Sequence, residues 1–235
     1  MNINKHLILL FSVLFFLFAV SVSSGCFRKN ESDVKSVVRN ELDQLKNLDS
    51  ETTQKYIPYT ELFPDATENT DLTDEINETF SLFFRKFNYK ISDVIIGTAN
   101  HSATVSVKLT TIDSKVLARD FKAELLRTQI TESAQAQKGN IKDSSRSLEA
   151  HYLILNHLLN TNDYDTAETD CNIQLVNTGN DKKEKWKIQR TNSLEDDLVG
   201  GLIADLADPD ILSPEDTLTV YLDTLQKLDL KEMTS

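Results

Sequence analysis

The sequence predicts an α+β fold in which a curved antiparallel sheet packs against helices. Segments with apolar residues at helical spacing precede, separate and follow two pairs of segments in which apolar and polar residues alternate. The order is therefore helices, a hairpin, a helical pair, a second hairpin and helices again. A parallel sheet needs regular alternation of strands and helices, which this order lacks.

The first helices are predicted from apolar residues that recur every three or four positions. Ser32 and Asp33 can cap a helix, whose apolar face is Val34, Val37, Val38, Leu42, Leu45 and Leu48. A short helix over residues 51–57 is expected to end at Pro58. Thr73 can cap a third helix, whose apolar face is Ile76, Phe80, Phe83, Phe84 and Phe87. Phenylalanines at this spacing are typical of a buried core.

The strands are predicted from strict alternation of apolar and polar side chains. Residues 89–96 and 103–111 form the first antiparallel pair. Residues 166–176 form the third strand, on which Cys171 shares a face with the neighbouring apolar residues. Trp186 is expected to face the core from the fourth strand, because it alternates with lysines.

The other helices lie between and after the two strand pairs. Helices are predicted over residues 114–130 and 144–160, with a break over residues 133–142. A further helix over residues 194–205 is followed by Pro209, which cannot continue a helix.

The last helix begins at Ser213, with Pro214 at its first turn. Its apolar stripe is expected to dock on the chain's own domain rather than stay exposed for another chain: Leu218, Tyr221, Leu222, Leu225 and Leu228. Residues 222–229 repeat residues 42–49 at five of eight positions. Two explanations stay open, namely convergence of amphipathic helices and the start of an incomplete second module.

The N-terminal residues have the three parts of a secretory signal. Lys5 precedes an apolar run of 16 residues over positions 7–22, and three small residues then precede Cys26. A transmembrane helix needs about 20 apolar residues, so this run is too short.

The last residues of this signal resemble the lipobox of bacterial lipoproteins, in which a cysteine thiol receives a diacylglyceryl group. Ser24 and Gly25 before Cys26 carry the resemblance. Ser23 departs from the aliphatic residue that is usual there, which leaves ordinary signal-peptidase cleavage as the alternative. The resemblance implies that Cys26 is lipidated and holds the mature chain at the outer face of the bacterial cytoplasmic membrane.

Four segments follow from these patterns. Residues 1–25 are the lipoprotein signal peptide and residues 26–31 a tether. Residues 32–205 are the α+β domain, and residues 206–235 are a linker with the C-terminal amphipathic helix.

Charge and cysteine content exclude some functions. The formal net charge is −12, and nucleic-acid binding requires clusters of Lys and Arg that neutralise phosphates. With Cys26 used for the anchor, Cys171 is the one cysteine left, so no intramolecular disulfide is expected. In mid-strand, Cys171 is expected to be buried and inert.

No metal site or cofactor site is expected. His151 and His157 lie six positions apart on one helix and therefore on opposite faces, whereas helical metal ligands lie three or four positions apart. The oxygen-rich residues 160–165 lack the glycine and terminal glutamate of a calcium loop, and a helix-ending turn is the better interpretation. Asp205 is assigned, with Asp208 and Asp210, to a solvated linker.

Several segments together resemble a known class of proteins. They are the helix start Ser32–Val38, Tyr89–Ile91 after the phenylalanine-rich helix, the strand Thr104–Val107, the strand Glu184–Ile188 and the helix Leu194–Leu198. Over residues 32–205 the chain resembles uncharacterised lipoproteins of low-GC Gram-positive bacteria that carry a nuclear-transport-factor-2-like domain. The resemblance implies a cone-shaped fold with a pocket between sheet and helices.

Three functions are compatible with these observations. The favoured one is a non-catalytic binding or interaction module on the membrane, whose partner is an unknown protein or small molecule. The second is an isomerase or dehydratase, which this fold also hosts; its candidate groups are Asp170 with Tyr89 or Tyr152. The third is a structural component of the cell envelope, in which helix 214–229 mediates self-association.

Overall fold

The fold is an antiparallel sheet combined with helices, as a computed structural model shows for residues 30–57, 62–63, 73–97, 101–136, 145–179 and 184–233. The sheet has four strands in the order β1-β2-β3-β4. The predicted α+β class is therefore confirmed. Among the described helices, none has the length and apolar character needed to cross a membrane.

The elements follow one another in the order that the sequence predicts. In chain order they are α1 (described over residues 30–46), α2 (Ser50–Tyr56), α3 (Thr73–Phe83) with a 3-10 turn (Phe84–Lys86), β1 (Asn88–Ile96), β2 (Ser102–Ile112), α4 (Ser114–Ala136), α5 (Leu148–Thr161), β3 (Thr166–Asn177), β4 (Trp186–Ile188), α6 (Asn192–Leu198), α7 (Leu202–Ala207) and α8 (Pro214–Met233).

Backbone hydrogen bonds fix the pairing of β2 with β3 at both ends. The Asp113 N–H donates to the Asp165 carbonyl at 2.9 Å, and the Asn177 N–H donates to the His101 carbonyl at 2.9 Å. Residue numbers decrease along β3 in the direction in which they increase along β2, so the two strands are antiparallel. The chain therefore leaves the sheet into α4 and returns from α5 at the same point.

The chain divides into two compact units. One contains residues up to Asn40, Ile91–Ser106 and Asn172–Gln189. The other contains Glu41–Lys90, Val107–Cys171 and Arg190–Ser235. The second unit holds every helix from α2 to α8, and we call it the helical unit.

The core of the helical unit forms where α5 packs on α3 and α4. The buried face of α5 is Leu148, His151, Tyr152, Leu155, Leu158 and Leu159. Tyr152 is fully buried and meets the ring of Phe63 edge-on, with the ring centroids 5.3 Å apart. The phenylalanine face predicted for α3 and the turn after it is buried throughout, so that prediction is confirmed.

Burial on the strands follows the predicted alternation except on β1. Val105 and Val107 on β2 are buried, as is Cys171 on β3, and Trp186 is 6% exposed. β1 buries none of its side chains, and Ile95 is 62% exposed. β1 lies at the edge of the sheet, where alternation in sequence does not ensure a covered face.

Three predicted helix boundaries are wrong, and one of them is the start of α5, which is Leu148 and not residue 144. α4 does not end at residue 130 but continues to Ala136, because the alanines and glutamines that suggested a break are good helix formers. The predicted helix over residues 194–205 is two helices, α6 and α7. Gly200 and Gly201 separate them with φ of 67° and 91°, which is left-handed backbone that favours glycine. A Cβ on Gly200 would lie 2.2 Å from Thr111 Oγ1, so glycine also permits close packing there.

The C-terminal helix docks as predicted, but with a different face. α8 packs on α4, and up to residue 229 its buried side chains are those of Val220 and Thr224, each 6% exposed. In the predicted stripe, Leu218, Tyr221 and Leu222 are 57%, 46% and 55% exposed, whereas Leu225 and Leu228 are half-buried. Thr224 Oγ1 donates to the Val220 carbonyl at 2.6 Å, so its hydroxyl is satisfied and its methyl group can pack.

Two substitutions on α8 test which face is buried. Val220→Ala should lower the free energy of unfolding by about 1–2 kcal/mol, because it removes two buried carbons and leaves a cavity. Leu222→Ala removes a larger but exposed side chain and should change this free energy by less than about 0.5 kcal/mol. Urea unfolding followed by circular dichroism measures both. A larger loss of unfolding free energy for Leu222→Ala than for Val220→Ala would show that the predicted stripe is the buried face.

Candidate ligand-binding site

A cavity of about 560 Å³ lies beside α4 in the helical unit. Its apolar lining residues come from α4, α7 and the segment after α2: Leu62, Phe63, Phe121, Leu125, Leu206 and Ala207. Lys122, Gln129, Ser145, Arg146 and His151 complete the lining. Ligand sites commonly have volumes of about 300–1,000 Å³, a range that includes this cavity, and its lining combines apolar with polar side chains.

The position of α4 explains why space remains there. α4 is well covered near its start, and Phe121 is its last buried residue. From Lys122 onward its described side chains are half-buried or exposed. The Ser145 N–H donates to Glu132 Oε2 at 3.1 Å, which ties the chain before α5 to the far end of α4. This hydrogen bond lies at the edge of the cavity, because Ser145 is one of the lining residues.

Aromatic rings surround the one histidine of the cavity. The ring of Phe63 stacks on His151 with the centroids 4.9 Å apart and the planes 12° apart. Phe121 lies on the same ring at 5.7 Å. His151 is 8% exposed, and its Nδ1 atom has no hydrogen-bond partner in the described structure. A buried nitrogen in this condition is uncommon, since buried polar atoms are generally paired.

The surroundings of His151 favour its neutral form. Burial lowers the pKa of His151 below its ordinary value of 6.5, because an imidazolium loses hydration there. The backbone of Ser147 acts in the opposite direction and raises the pKa of His151, although it does not form a hydrogen bond with Nδ1. The positive charge of Lys122 lowers the pKa further. His151 is therefore uncharged at neutral pH, and Lys122 lies near enough to influence it.

The charged residues that line the cavity are both basic. They are Lys122 and Arg146, and no carboxylate belongs to the described lining. Lys122 makes neither an ion pair nor a hydrogen bond with any described residue. The chain as a whole carries a formal net charge of −12, so the charge of these lining residues is opposite in sign to that of the whole chain.

A second cavity of about 320 Å³ adjoins the same stretch of α4. It shares Lys122, Leu125 and Gln129 with the first cavity. Its other lining residues belong to α4 and to the chain from the end of α7 into α8: Leu126, Asp208, Pro209, Ile211, Leu212 and Thr217. The two cavities therefore lie side by side along α4.

The residues singled out from the sequence have separate outcomes. Cys26 lies outside the described residues. His151 is buried and His157 exposed, so their predicted placement on different faces of α5 is confirmed. In the described ranges no three side chains are grouped as metal ligands would be. The oxygen-rich segment does end a helix, because α5 ends at Thr161.

The candidate catalytic pair is not assembled in one place. Asp170 is exposed on β3, whereas Tyr152 is fully buried in the helical core. The Tyr89 hydroxyl donates to Asp43 Oδ1 at 2.6 Å. None of these three residues lines either cavity.

The prediction for Cys171 is confirmed, whereas the prediction for Asp205 is wrong. Cys171 is buried as predicted, and burial, with a contribution from Asp197, raises the pKa of its thiol to about 12. The thiol therefore stays protonated and unreactive. The assignment of Asp205 to a solvated linker is wrong, because it lies on α7 and accepts a hydrogen bond from Ser114 Oγ at 2.7 Å.

The sequence contained a signal for this site that spacing rules alone do not use. His151 occurs among the apolar residues of the buried face of α5, so its ring had to be buried. The spacing rule for paired metal ligands excludes His151 as a ligand, but it does not consider which side chains a buried imidazole contacts. Phe63 carried no signal, since it approaches His151 only through the tertiary fold.

The pH dependence of stability should report the burial of His151. Its pKa is lowered in the folded state, so the unfolded chain takes up a proton first as the pH falls below 6.5. Wild-type protein should therefore lose stability between pH 6.5 and the lower folded pKa, and His151→Phe should lose less. The control is His157→Phe on the exposed side of α5. Equal pH profiles for wild type and His151→Phe would contradict the burial.

No family model matches the chain, and comparisons with curated proteins and with solved structures also find no match.

Proposed function

We propose that the protein is a lipid-anchored, extracytoplasmic module that binds a small molecule in the cavity beside α4 without converting it. The observation that carries this proposal is the cavity of about 560 Å³, in which the rings of Phe63, Phe121 and His151 lie together. The position on the outer face of the cytoplasmic membrane comes from the sequence, through the signal that ends at Cys26.

Binding is favoured over catalysis by what surrounds His151. A histidine that acts as a general base is normally held by a hydrogen bond to its second nitrogen and by a group that orients it. In the described lining Nδ1 has no such partner, and no carboxylate lies there to share a proton. The ring is fixed instead by Phe63 and Phe121, as in a site that recognises the shape of its ligand.

The nuclear-transport-factor-2-like cone remains part of the proposal. The four-stranded antiparallel sheet with helices supports it. The cavity departs from what the resemblance implies, since each described lining residue belongs to a helix or a connecting segment and none of them to a strand. The binding site proposed here is therefore not the pocket between sheet and helices that the resemblance leads one to expect.

A second function, interaction with another protein through α8, has one specific observation in its favour. Leu218, Tyr221 and Leu222 are about half exposed on the outer side of this helix. An envelope component that self-associates would use such a face.

The anchor is tested by Cys26→Ser. The serine hydroxyl does not accept the diacylglyceryl group, so the variant should leave the membrane fraction and lose labelling by a radioactive or clickable fatty acid. Fractionation of the producing cells, followed by detection of the label, measures both. Absence of the label from wild-type protein that nevertheless sediments with membranes would refute lipidation.

The cavity is tested by filling it. Ala207→Trp places an indole at an exposed position of the lining, and Ala204→Trp places one elsewhere on α7. Mass spectrometry of molecules released from natively purified protein should find a bound compound in wild type and in Ala204→Trp, and at least about tenfold less in Ala207→Trp. The same compound at equal occupancy in all three proteins would place binding elsewhere.

A further inference from the structure

We propose that α8 binds an amphipathic helix of a second protein, in which lysine or arginine residues flank an apolar stripe at both ends. The surface that binds it is the outer stripe of α8, which consists of Leu218, Tyr221, Leu222 and Leu225. The inference rests on the second function proposed above, interaction through α8, and is independent of the cavity. It adds the chemical class of the partner, and it names another protein rather than a second copy of this chain.

The outer stripe is a continuous apolar surface. Leu218, Leu222 and Leu225 follow one another at intervals of four and three positions, and Tyr221 lies beside them, so their side chains are neighbours on one side of the helix. Seven large apolar side chains of the described chain are exposed, and three of them belong to this stripe. Single exposed apolar residues are ordinary, whereas a contiguous group marks an interaction surface.

The second cavity adjoins this stripe and gives it depth. Thr217 lines that cavity, of about 320 Å³, and lies one turn before Tyr221 on α8. Leu125, Leu126 and Ile211 form apolar parts of its lining. An apolar side chain of a helix that lies on the outer stripe can therefore enter the cavity. Interfaces take much of their binding energy from a few side chains that fill such pockets.

A carboxylate lies at each end of the outer stripe. Glu215 precedes Leu218 by three positions, Asp229 follows Leu225 by four, and both are exposed. Neither carboxylate forms an ion pair or a hydrogen bond with a described residue. Lys227, the one basic residue of α8 up to residue 229, lies on the opposite side of the helix. The stripe therefore has negative charge at both ends and no positive charge beside it.

This charge pattern selects the partner. If two copies of α8 paired antiparallel, Glu215 would lie against Asp229 of the second copy, and parallel pairing would place each carboxylate against its own equivalent. Both arrangements bring like charges together, which opposes association. Helices that lie on membranes carry Lys and Arg beside their apolar face, and anionic lipid would repel these carboxylates. A partner helix with two cations about 21 Å apart, the rise of 14 helical residues, would pair with both.

The experiment measures binding of designed helical peptides to the full-length chain, held in nanodiscs of zwitterionic lipid, by fluorescence anisotropy. The basic peptide has leucines at the spacing of the outer stripe and lysines one turn beyond each end. The acidic peptide has glutamates in place of those lysines, and a third peptide keeps the lysines but has serines in place of the leucines. Empty nanodiscs supply the blank. We expect the basic peptide to bind at least about tenfold more tightly than either of the others, and added salt to reduce its advantage over the acidic peptide.

Matched variants locate the binding surface. Leu222→Ala should weaken binding of the basic peptide about five- to tenfold, because it removes an apolar contact. The control is Leu153→Ala on α5, which removes a leucine of the same exposure, 54% against 55%, and should change nothing. Glu215→Gln combined with Asp229→Asn should weaken the basic peptide about three- to tenfold and remove its advantage over the acidic one. Glu149→Gln, at an exposed carboxylate of α5, should leave both affinities unchanged.

Crosslinking in the producing cells identifies the natural occupant. The photoreactive residue p-benzoylphenylalanine replaces Leu222 in one variant and Leu153 in the control. Mass spectrometry of the linked peptides should find, for position 222 alone, a segment of another protein with an apolar stripe between lysines or arginines.

Three kinds of result would overturn the proposal. Equal affinity for the basic and acidic peptides, or equal weakening by Leu153→Ala and Leu222→Ala, would reject the charge pattern or the location. A crosslink between two copies of α8, or a dimer that Leu222→Ala dissociates, would assign the surface to a second copy and keep interaction through α8. A crosslink to lipid, or neither peptide binding nor a crosslink, would reject interaction with another protein through α8. None of these results bears on the cavity, whose test is the compound released from the native protein.

Discussion

The pairing of β2 with β3 is the constraint on which the helical unit depends. These neighbouring strands are joined through α4 and α5, and the hydrogen bond between Asp113 and Asp165 closes the connection at its base. Two helices that leave and return at one point must lie beside each other, and each then needs an apolar face for its partner. The alternating residues of the strands thereby determine where helical packing can occur.

The cavity follows from the unequal lengths of these two helices. α4 has 23 residues and α5 has 14, so α5 cannot cover α4 along its whole length. Burial of α4 ends at Phe121, and α7 and α8 also pack on this helix. The gap between these supports contains Lys122 and His151. Lys122 is half-buried there, whereas His151 is almost fully buried, and this burial lowers the pKa of its imidazole.

Sequence reasoning succeeded where one residue property decides the structure. Val105 and Val107 alternate on a strand with one covered face, and Cys171 in the neighbouring strand behaves in the same way. It failed where the outcome depends on contacts distant in sequence. The close packing of Gly200 against Thr111 is such a contact, since nothing near residue 200 reveals it. The site has the same character, since Phe63 and His151 stack across 88 positions of sequence.

The repeated octapeptide shows why an apolar pattern does not by itself choose the buried face. In α1 the repeat buries Leu42 and Leu45, whereas the corresponding Leu222 in α8 is 55% exposed.

α8 buries Val220 and Thr224 instead, and the positions equivalent to these in α1 are the exposed residues Asn40 and Gln44. The two copies therefore turn opposite sides toward their surroundings. Copies of one module would bury equivalent positions, because the same partner elements would cover them. The structure thus favours convergence of two amphipathic helices over an incomplete second module. It also explains the exposed leucines of α8, since the face that packs on α4 is chosen by the small side chains that fit there and not by the longest apolar stripe.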